Sequence, residues 1–409
     1  MQDFRDSQTS DGLVGMIAPR AGVEEDLVWS CAYLFIPWEQ YCHYGDRQIL
    51  AEHYPSFVRY LEFLGKQGAA EISPRPIGTD PLREMVRKDG DFKGHLQRSQ
   101  WGDHLSLDEG FHGRSGLPFS ISTAFYYKIA CVMRQIADVL KMADDVDRFA
   151  RLAEEIKLAF HAKFFNPTTR FYDDGSQAAQ AFALDFDLVP DAFHDAVLRR
   201  LLNDLAERDW HLTTGYPGTK SLIHALTSNG RADIVWNLAN QTGFPSWQDM
   251  IKGGRTTLNE HWDPTQGSHN HVALGAHLDA WFFTSLAGIQ IDPIVPGYER
   301  IVFNPYIPSD LDYAAATIHT MRGPIKSSWR KENGRVRYHF SIPANSSALA
   351  YIPFIDGSSI LESGKSPLEA VGVRYLDTEK GRSVFELHSG NYEFHYIGEL
   401  HSDYLSAKL

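Results

Sequence analysis

The hydrophobic pattern of this chain changes period once, and that change limits the architecture more than any other feature. Up to about residue 290 the apolar residues recur every three or four positions, the spacing of one buried helix face. Helical runs are read over Val28–Tyr44, Arg47–Gln67, Phe119–Met142, Val146–Phe164, Ser176–Val189, Ala192–Arg208, Thr219–Ser228, Ala232–Gln241 and Asn270–Ile289. In "RQILAEHYPSFVRYLEFL" the apolar set is Ile49, Leu50, Tyr54, Phe57, Val58, Leu61 and Leu64, with Pro55 expected to end or kink the helix. Beyond "IDPIVPGYERIVFNP" the alternation becomes two, in "IKSSWRKENGRVRYHFSI", "SALAYIPF" and "RSVFELHSGNYEFHYI", with turns such as "ENGR" between runs. A length of 409 residues exceeds what one core accommodates. The expectation is therefore a helical domain over 1–292, a small antiparallel β-sandwich over 293–399 and a tail, 400–409.

The helices are joined alternately by short and long connections. The long ones are Ala69–Pro118 and Gly243–His269, and long loops inside a compact domain are usually functional. Both place Trp beside acidic residues, "WGDHLSLDEG" in the first and "PSWQDM" with "TTLNEHWD" in the second. Paired helices with such loops gathered at one end predict a toroid of helical hairpins with one cleft, lined by both loops.

Within the second loop, Glu260 stands among Trp247, His261, Trp262, His269 and His271. Aromatic walls raise a carboxyl pKa, while histidines and threonines hold the carboxyl or a water by hydrogen bonds, a combination that suits a general base. The other reading is a polar loop that only caps the next helix, for which Ser268 or Asn270 would suffice. His269 and His271 lie two apart, wrong for one helix face, and no third ligand stands at a fitting spacing, so no metal is expected. "GTKS" at Gly218–Ser221 lacks the rest of a phosphate loop, and no cofactor is expected.

A net charge of −13 argues against nucleic acid and anionic membrane surfaces. Cys31, Cys42 and Cys131 are too few and too odd in number for a disulfide framework. No signal peptide or membrane helix is read, which predicts a cytoplasmic setting.

The segments "LTTGYPGTKSLIHALTSNGRADIVWNLANQTGFPSWQDMIKGGRTTLNEHWDP" and "SHNHVALGAHLDAWFFTSLAGI" resemble the core of the bacterial α-L-rhamnosidases, six-hairpin inverting glycoside hydrolases. Supporting segments are "VWSCAYLFIPWEQYCHYGDRQIL", "WGDHLSL", "GSQAAQAFALDFDLVP" and "SGNYEFHY", and the likeness runs through almost all of residues 3–397 in the family's order. The resemblance implies an (α/α)6-type toroid, a rhamnose-containing substrate and hydrolysis with inversion. It puts the catalytic base of "TT-x-x-E-x-W" on Glu260 and the sugar-contacting histidine of "S-x-N-H" on His271. It puts the sugar-pocket tryptophan on Trp29, the "PSW" tryptophan on Trp247 and the "GDWL" motif, in part, on Gly102, Asp103 and Leu105, which makes Trp247 and Asp103 substrate-binding candidates.

Three departures stand beside these matches. The family tryptophan before the base is Asn259, and the tryptophan of "GDWL" is His104. The family's general acid lies in a motif close to "DER-x-GW-x-GD", ahead of the helix ending in "DFRDSQ"; this sequence opens with "MQDFRDSQ" and carries no such motif downstream. The expectation is a chain lacking the first hairpin, the C-terminal two-thirds of a larger enzyme or a truncated paralogue. Apolar helix faces bared in this way would favour pairing of two copies. A non-catalytic carbohydrate-binding module is the alternative, and an unsaturated-uronide hydrolase fits less well because the loops are not basic.

Overall fold

The structure, a computed structural model, describes residues 1–19, 26–68, 95–97, 101–108, 119–354 and 359–397. Most of the loop Ala69–Pro118 and the tail 400–409 lie outside the described residues. The chain forms two compact units. The first comprises residues 1–39, 47–228 and 237–275, and the second residues 40–46, 229–236 and 276 onward.

In order, the helices are α1 (Gln2–Ser7), α2 (Leu27–Ser30), α3 (Ala32–Tyr44), α4 (Arg47–Gln67), α5 (Phe119–Leu140), α6 (Ala143–Phe164), α7 (Gln177–Asp185), α8 (Asp191–Glu207), α9 (Tyr216–Ser228), α10 (Ala232–Ala239), α11 (Trp247–Met250) and α12 (Ala273–Trp281). In the first unit they pack as hairpins of an inner and an outer helix. Helix α5 packs on α6 and also touches α2, α4 and α7, and α7 packs on α8 and α9. The inner helix α7 is buried along Gln177–Leu184, whereas the outer helix α8 buries only the stripe Val197, Leu201, Leu202 and Leu205, together with Asp204. The sequence accounts for the difference: "QAAQAFAL" is mostly small and apolar, its Gln177 and Gln180 satisfied by buried hydrogen bonds, and "DAFHDAVLRRLLNDLAE" is apolar on one face.

The short connections carry their own turn chemistry. Between α6 and α7 the strands β1 (Phe165–Asn166) and β2 (Phe171–Tyr172) pair as a small hairpin. Its turn is closed by Asn166 Oδ1, which accepts from the N–H groups of Thr168 and Thr169 at 3.0 and 3.3 Å. Ser176 then caps α7. Pro55 does not end its helix: α4 runs unbroken from Arg47 to Gln67. Pro55 lies on the exposed face, so its ring meets solvent, while Leu50, Phe57, Tyr60, Leu61 and Leu64 bury the opposite side. The lost backbone bond is outweighed by that burial, worth about 1.5–3 kcal/mol per large apolar side chain.

The last helix is shorter than its periodicity suggests. Helix α12 ends at Trp281 and passes into a π-helical turn over Phe282–Leu286, with Ala287 N–H donating to Phe282 O at 2.9 Å. Ile289, read as helical, instead opens a strand opposite Phe303. In the second unit the strands among the described residues form two five-stranded sheets. Naming the strands of this unit β3 (Ile289–Ile291), β4 (Arg300–Phe303), β5 (Tyr313–Thr320), β6 (Gly323–Glu332), β7 (Arg335–Ile342), β8 (Ser347–Pro353), β9 (Ser359–Glu362), β10 (Val373–Glu379), β11 (Arg382–Leu387) and β12 (Gly390–Ile397), the orders are β10-β11-β8-β4-β3 and β5-β6-β7-β12-β9. Among the described residues every pairing is antiparallel except β4 with β8.

The β6–β7 turn falls on Asn333–Gly334, both at positive φ, with Glu332 opposite Arg335. This is the two-residue hairpin that "ENGR" predicts. The two sheets face each other through Phe303 against Phe340, ring centroids 4.4 Å apart, and Phe385 against Phe394 at 5.4 Å. Strand β7 alternates exposed and buried along most of its length, the signature of a sandwich sheet. Among the described residues no helix is long and apolar enough to cross a membrane.

Candidate active site

The start of helix α9 is the anchor on which the site is built. Its first turn follows "TTG", and two backbone N–H groups there, those of Gly215 and Gly218, donate to the Asp103 carboxylate at 2.8 and 2.7 Å. A carboxylate suits that place, because a helix N-terminus carries unsatisfied N–H groups and a positive dipole end. The approach is so close that a Cβ on Gly218 would fall 2.4 Å from Asp103 Oδ2, so only glycine fits. Tyr216 N–H donates to His104 O at 3.0 Å, which fastens the same turn to the segment Trp101–Asp108. On the other side Trp262 Nε1 donates to Thr214 O at 2.8 Å. The two long connections of the helical unit thus meet at one helix end.

The loop that bears Glu260 is closed on itself. Glu260 N–H donates to Ser268 O at 2.7 Å, His271 N–H to Leu258 O at 3.0 Å, and Thr257 Oγ1 to His269 O at 2.6 Å. The Glu260 carboxylate is fixed through Oε2, which accepts from Ser268 N–H at 2.7 Å. Gly267, at φ +68, lies so near that a Cβ would sit 2.8 Å from that oxygen. Asp263 holds the turn below, accepting from Thr265 N–H and Oγ1 and from Gln266 Nε2. The backbone N–H of Thr265, followed by its hydroxyl, keeps the Asp263 carboxyl below its ordinary range.

Above this loop lies a group of rings. His271 stacks on Tyr216, centroids 5.4 Å apart and planes at 12°. His104 meets Tyr216 edge-on at 5.6 Å, Trp29 at 5.7 Å and Trp101 at 4.9 Å. Trp29 also meets Tyr216 edge-on at 6.4 Å. Asp26 ties Trp29 to this group, with one oxygen accepting from Val28 N–H and the other from Trp101 N–H. His271 Nδ1 accepts from Ala273 N–H at 3.2 Å. In the neutral ring the proton is then on Nε2, which leaves that nitrogen as a donor. Burial, and after it the nearby Glu260 charge, pushes the Tyr216 phenol above its ordinary range, so it stays protonated.

Glu260, His271 and Trp29 are all partly accessible and share this cluster. Two other sequence-read candidates do not offer themselves to a ligand. Asp103 is fully buried and its two oxygens serve the backbone of α9. Trp247 is 6% exposed, donates Nε1–H to Leu274 O at 2.9 Å and packs edge-on against Trp262 at 5.5 Å. Both support the loop and the helix end from beneath.

Sequence reasoning missed Tyr216. Its one signal was an aromatic residue between the glycines of "TTGYPG", which says nothing until Asp103 is seen to hold both glycines. Asn259, where the family pattern has tryptophan, is 1% exposed, and its amide has no hydrogen-bond partner among the described residues. No group of three His, Cys, Asp or Glu residues able to hold a metal occurs among the described residues.

Residues 1–286 match the family model of the bacterial alpha-L-rhamnosidase 6 hairpin glycosidase domain, and residues 288–366 that of the bacterial alpha-L-rhamnosidase C-terminal domain. An alpha-L-rhamnosidase of Streptomyces avermitilis is 30% identical over 404 residues, covering 96% of this chain and 35% of the relative. One from Alteromonas sp. strain LOR is 29% identical, covering 85% of the chain and 37% of the relative. Among solved structures, the alpha-L-rhamnosidase from Dictyoglumus thermophilum superposes with a TM-score of 0.83 at 29% identity, over 97% of this chain and 43% of that one. The Streptomyces avermitilis alpha-L-rhamnosidase complexed with L-rhamnose gives 0.79 at 29% identity, over 96% and 35%. The chain thus spans about 35–43% of the length of these relatives, a smaller share than the resemblance implied.

Proposed function

The chain belongs to the bacterial α-L-rhamnosidase six-hairpin glycosidase family, and on that premise we propose that it hydrolyses terminal α-L-rhamnosides with inversion, Glu260 acting as general base. The observation that carries this is the Glu260 carboxylate, pinned through one oxygen by Ser268 N–H and set beside the Tyr216–His271 ring stack. The matching relatives, one of them with L-rhamnose bound, support the choice of sugar. Residues 1–292 form the catalytic domain and 293–399 the sandwich domain.

In the reaction a water oxygen bonds to the anomeric carbon while Glu260 takes one of its protons. The C1–O bond breaks, and its electron pair leaves with the aglycone oxygen. His271 donates through Nε2–H to a sugar hydroxyl, and Trp29 offers an apolar wall. Asp103 and Trp247 hold the helix end and the loop in place. A basic leaving oxygen also needs a proton, which the family takes from the acid motif this sequence does not contain; a nitrophenolate leaves without one.

The test is a panel of 4-nitrophenyl glycosides given to this chain. The α-L-rhamnoside is expected to turn over at least about tenfold faster than the α-L-fucoside or β-D-glucoside, a difference of about 1.4 kcal/mol. Methyl α-L-rhamnoside should be slower than the nitrophenyl compound by about 10²–10⁴. Rhamnose binding with no turnover of any rhamnoside would favour a non-catalytic carbohydrate-binding module instead.

A further inference from the structure

The net charge of −13 is not spread evenly over the molecule. Strands β5, β6, β7 and β12 are neighbours in one sheet, and β6 and β7 alternate between buried and open positions along most of their length. The buried set, with Ile325, Trp329, Val336, Tyr338 and Phe340, belongs to the sandwich core. The other set faces outward, and the pairing puts its cations side by side. Arg330 stands opposite Arg337, and Lys326 opposite Ser341. Arg335 lies on the same side of β7 as Arg337, because "RVRYHF" alternates with the pleat. A sheet sets such neighbours about 5 Å apart across strands and about 7 Å apart along one. The Arg330 guanidinium lies over the Tyr313 ring, 4.7 Å from its centroid, and Tyr313 is itself 55% exposed. Ser328 and His339 pair on this face and add hydrogen-bonding groups. Among the described residues, the carboxylates at outward positions of these strands are Glu332 and Glu393. Glu332 lies 3.8 Å from Arg330 and 3.5 Å from Arg337, and Glu393 lies 4.0 Å from Arg337 and 2.7 Å from His395. Exposed pairs of this kind are weak and readily exchanged. With Lys326, Arg330, Arg335 and Arg337 against two carboxylates, the face carries an excess of positive charge on an otherwise acidic chain.

We infer that this outward sheet face binds an acidic polysaccharide, one whose sugar units carry carboxylates. The sign of the charge selects a polyanion, and the spacing and polar groups select which kind. Duplex DNA presents a charge about every 1.7 Å, far denser than the cations here, and the acidic remainder of the chain repels it. A uronate polymer carries at most one carboxylate per sugar ring. Its hydroxyls between those carboxylates suit Ser328 and His339, and arginine takes a carboxylate by two parallel hydrogen bonds. The face belongs to the sandwich unit, so the inference does not depend on the role of Glu260.

Affinity electrophoresis of the whole chain in native gels, with EDTA present to exclude bridging calcium, reads this binding without turnover. Polygalacturonate in the gel is expected to retard the chain and neutral dextran to leave it unretarded. The affinity should fall about tenfold or more between about 50 and 200 mM NaCl, as counterion release requires. Arg335→Glu combined with Arg337→Glu should weaken it about tenfold or more, with Tm and turnover of 4-nitrophenyl α-L-rhamnoside unchanged. Lys326→Glu, which adds no charge beside Glu332, should weaken it about threefold and serves if the hairpin does not tolerate the pair. The same charge change at Arg151 and Arg199, exposed on helices of the other unit, should leave it within about twofold. A chain that polygalacturonate does not retard overturns the inference, as does retardation that survives the substitutions in β6 and β7. Duplex DNA retained as strongly, and lost with the same substitutions, overturns it too, since the face would then be an undiscriminating basic patch. Retardation by polygalacturonate in a chain that turns over no rhamnoside upholds the inference while the hydrolase reading falls.

Discussion

Replacing Glu260 by glutamine is expected to lower kcat on 4-nitrophenyl α-L-rhamnoside by about 10²–10⁴ while leaving L-rhamnose affinity within about threefold. The amide is isosteric with the carboxylate. Its oxygen can still accept from Ser268 N–H, so the loop keeps its shape, but it cannot take a proton from water. His271→Ala should behave differently. A hydrogen bond from it to the sugar would be made in ground and transition state alike, so affinity and turnover should weaken together. Calorimetry with L-rhamnose beside steady-state kinetics separates the two. A Glu260→Gln variant keeping about a tenth or more of kcat would remove Glu260 from the base role and leave the loop as structure.

Asp103→Ala should be the most damaging substitution for stability. It deprives two buried N–H groups of a charged acceptor at 2.8 and 2.7 Å. Each orphaned group costs about 1–3 kcal/mol, for a total on the order of 2–6 kcal/mol. Calorimetric scanning should show the first transition lowered by on the order of 5–10 °C. Asp138→Ala, at a side chain 73% exposed, should move it by less than about 0.5 kcal/mol equivalent. An Asp103→Ala protein as stable as the Asp138 variant would mean that the start of α9 does not depend on the carboxylate. Activity should fall with stability, because Tyr216 sits on that turn.

The contrast between Asp103 and Glu260 shows how much the sequence could say. Both are carboxylates in long loops beside tryptophan, and both were read as site residues. Glu260 ended partly accessible in a loop closed by its own backbone, whereas Asp103 was drawn under a helix whose glycines lie more than a hundred residues away in the chain. Nothing local distinguishes the two fates. The burial of Trp247 is equally illegible in the sequence: which ring face meets solvent depends on Trp262 and Leu274 arriving from elsewhere. The architecture was far more legible, since a change of period from helix to strand is a local property repeated over many residues. Pro55 marks the limit of that legibility. Its helix-breaking tendency was outweighed because its ring fell on the exposed face, a matter of phase that only packing decides.

The central claim is that Glu260 activates a water on the face of the sugar opposite the leaving group. It is tested most directly by proton NMR of the sugar first released from 4-nitrophenyl α-L-rhamnoside, recorded faster than the anomers interconvert. β-L-rhamnose appearing first, with the α signal growing only at the rate of mutarotation, is the predicted result. α-L-rhamnose appearing first would contradict it, for that outcome needs a covalent intermediate and a nucleophile where this account places a base.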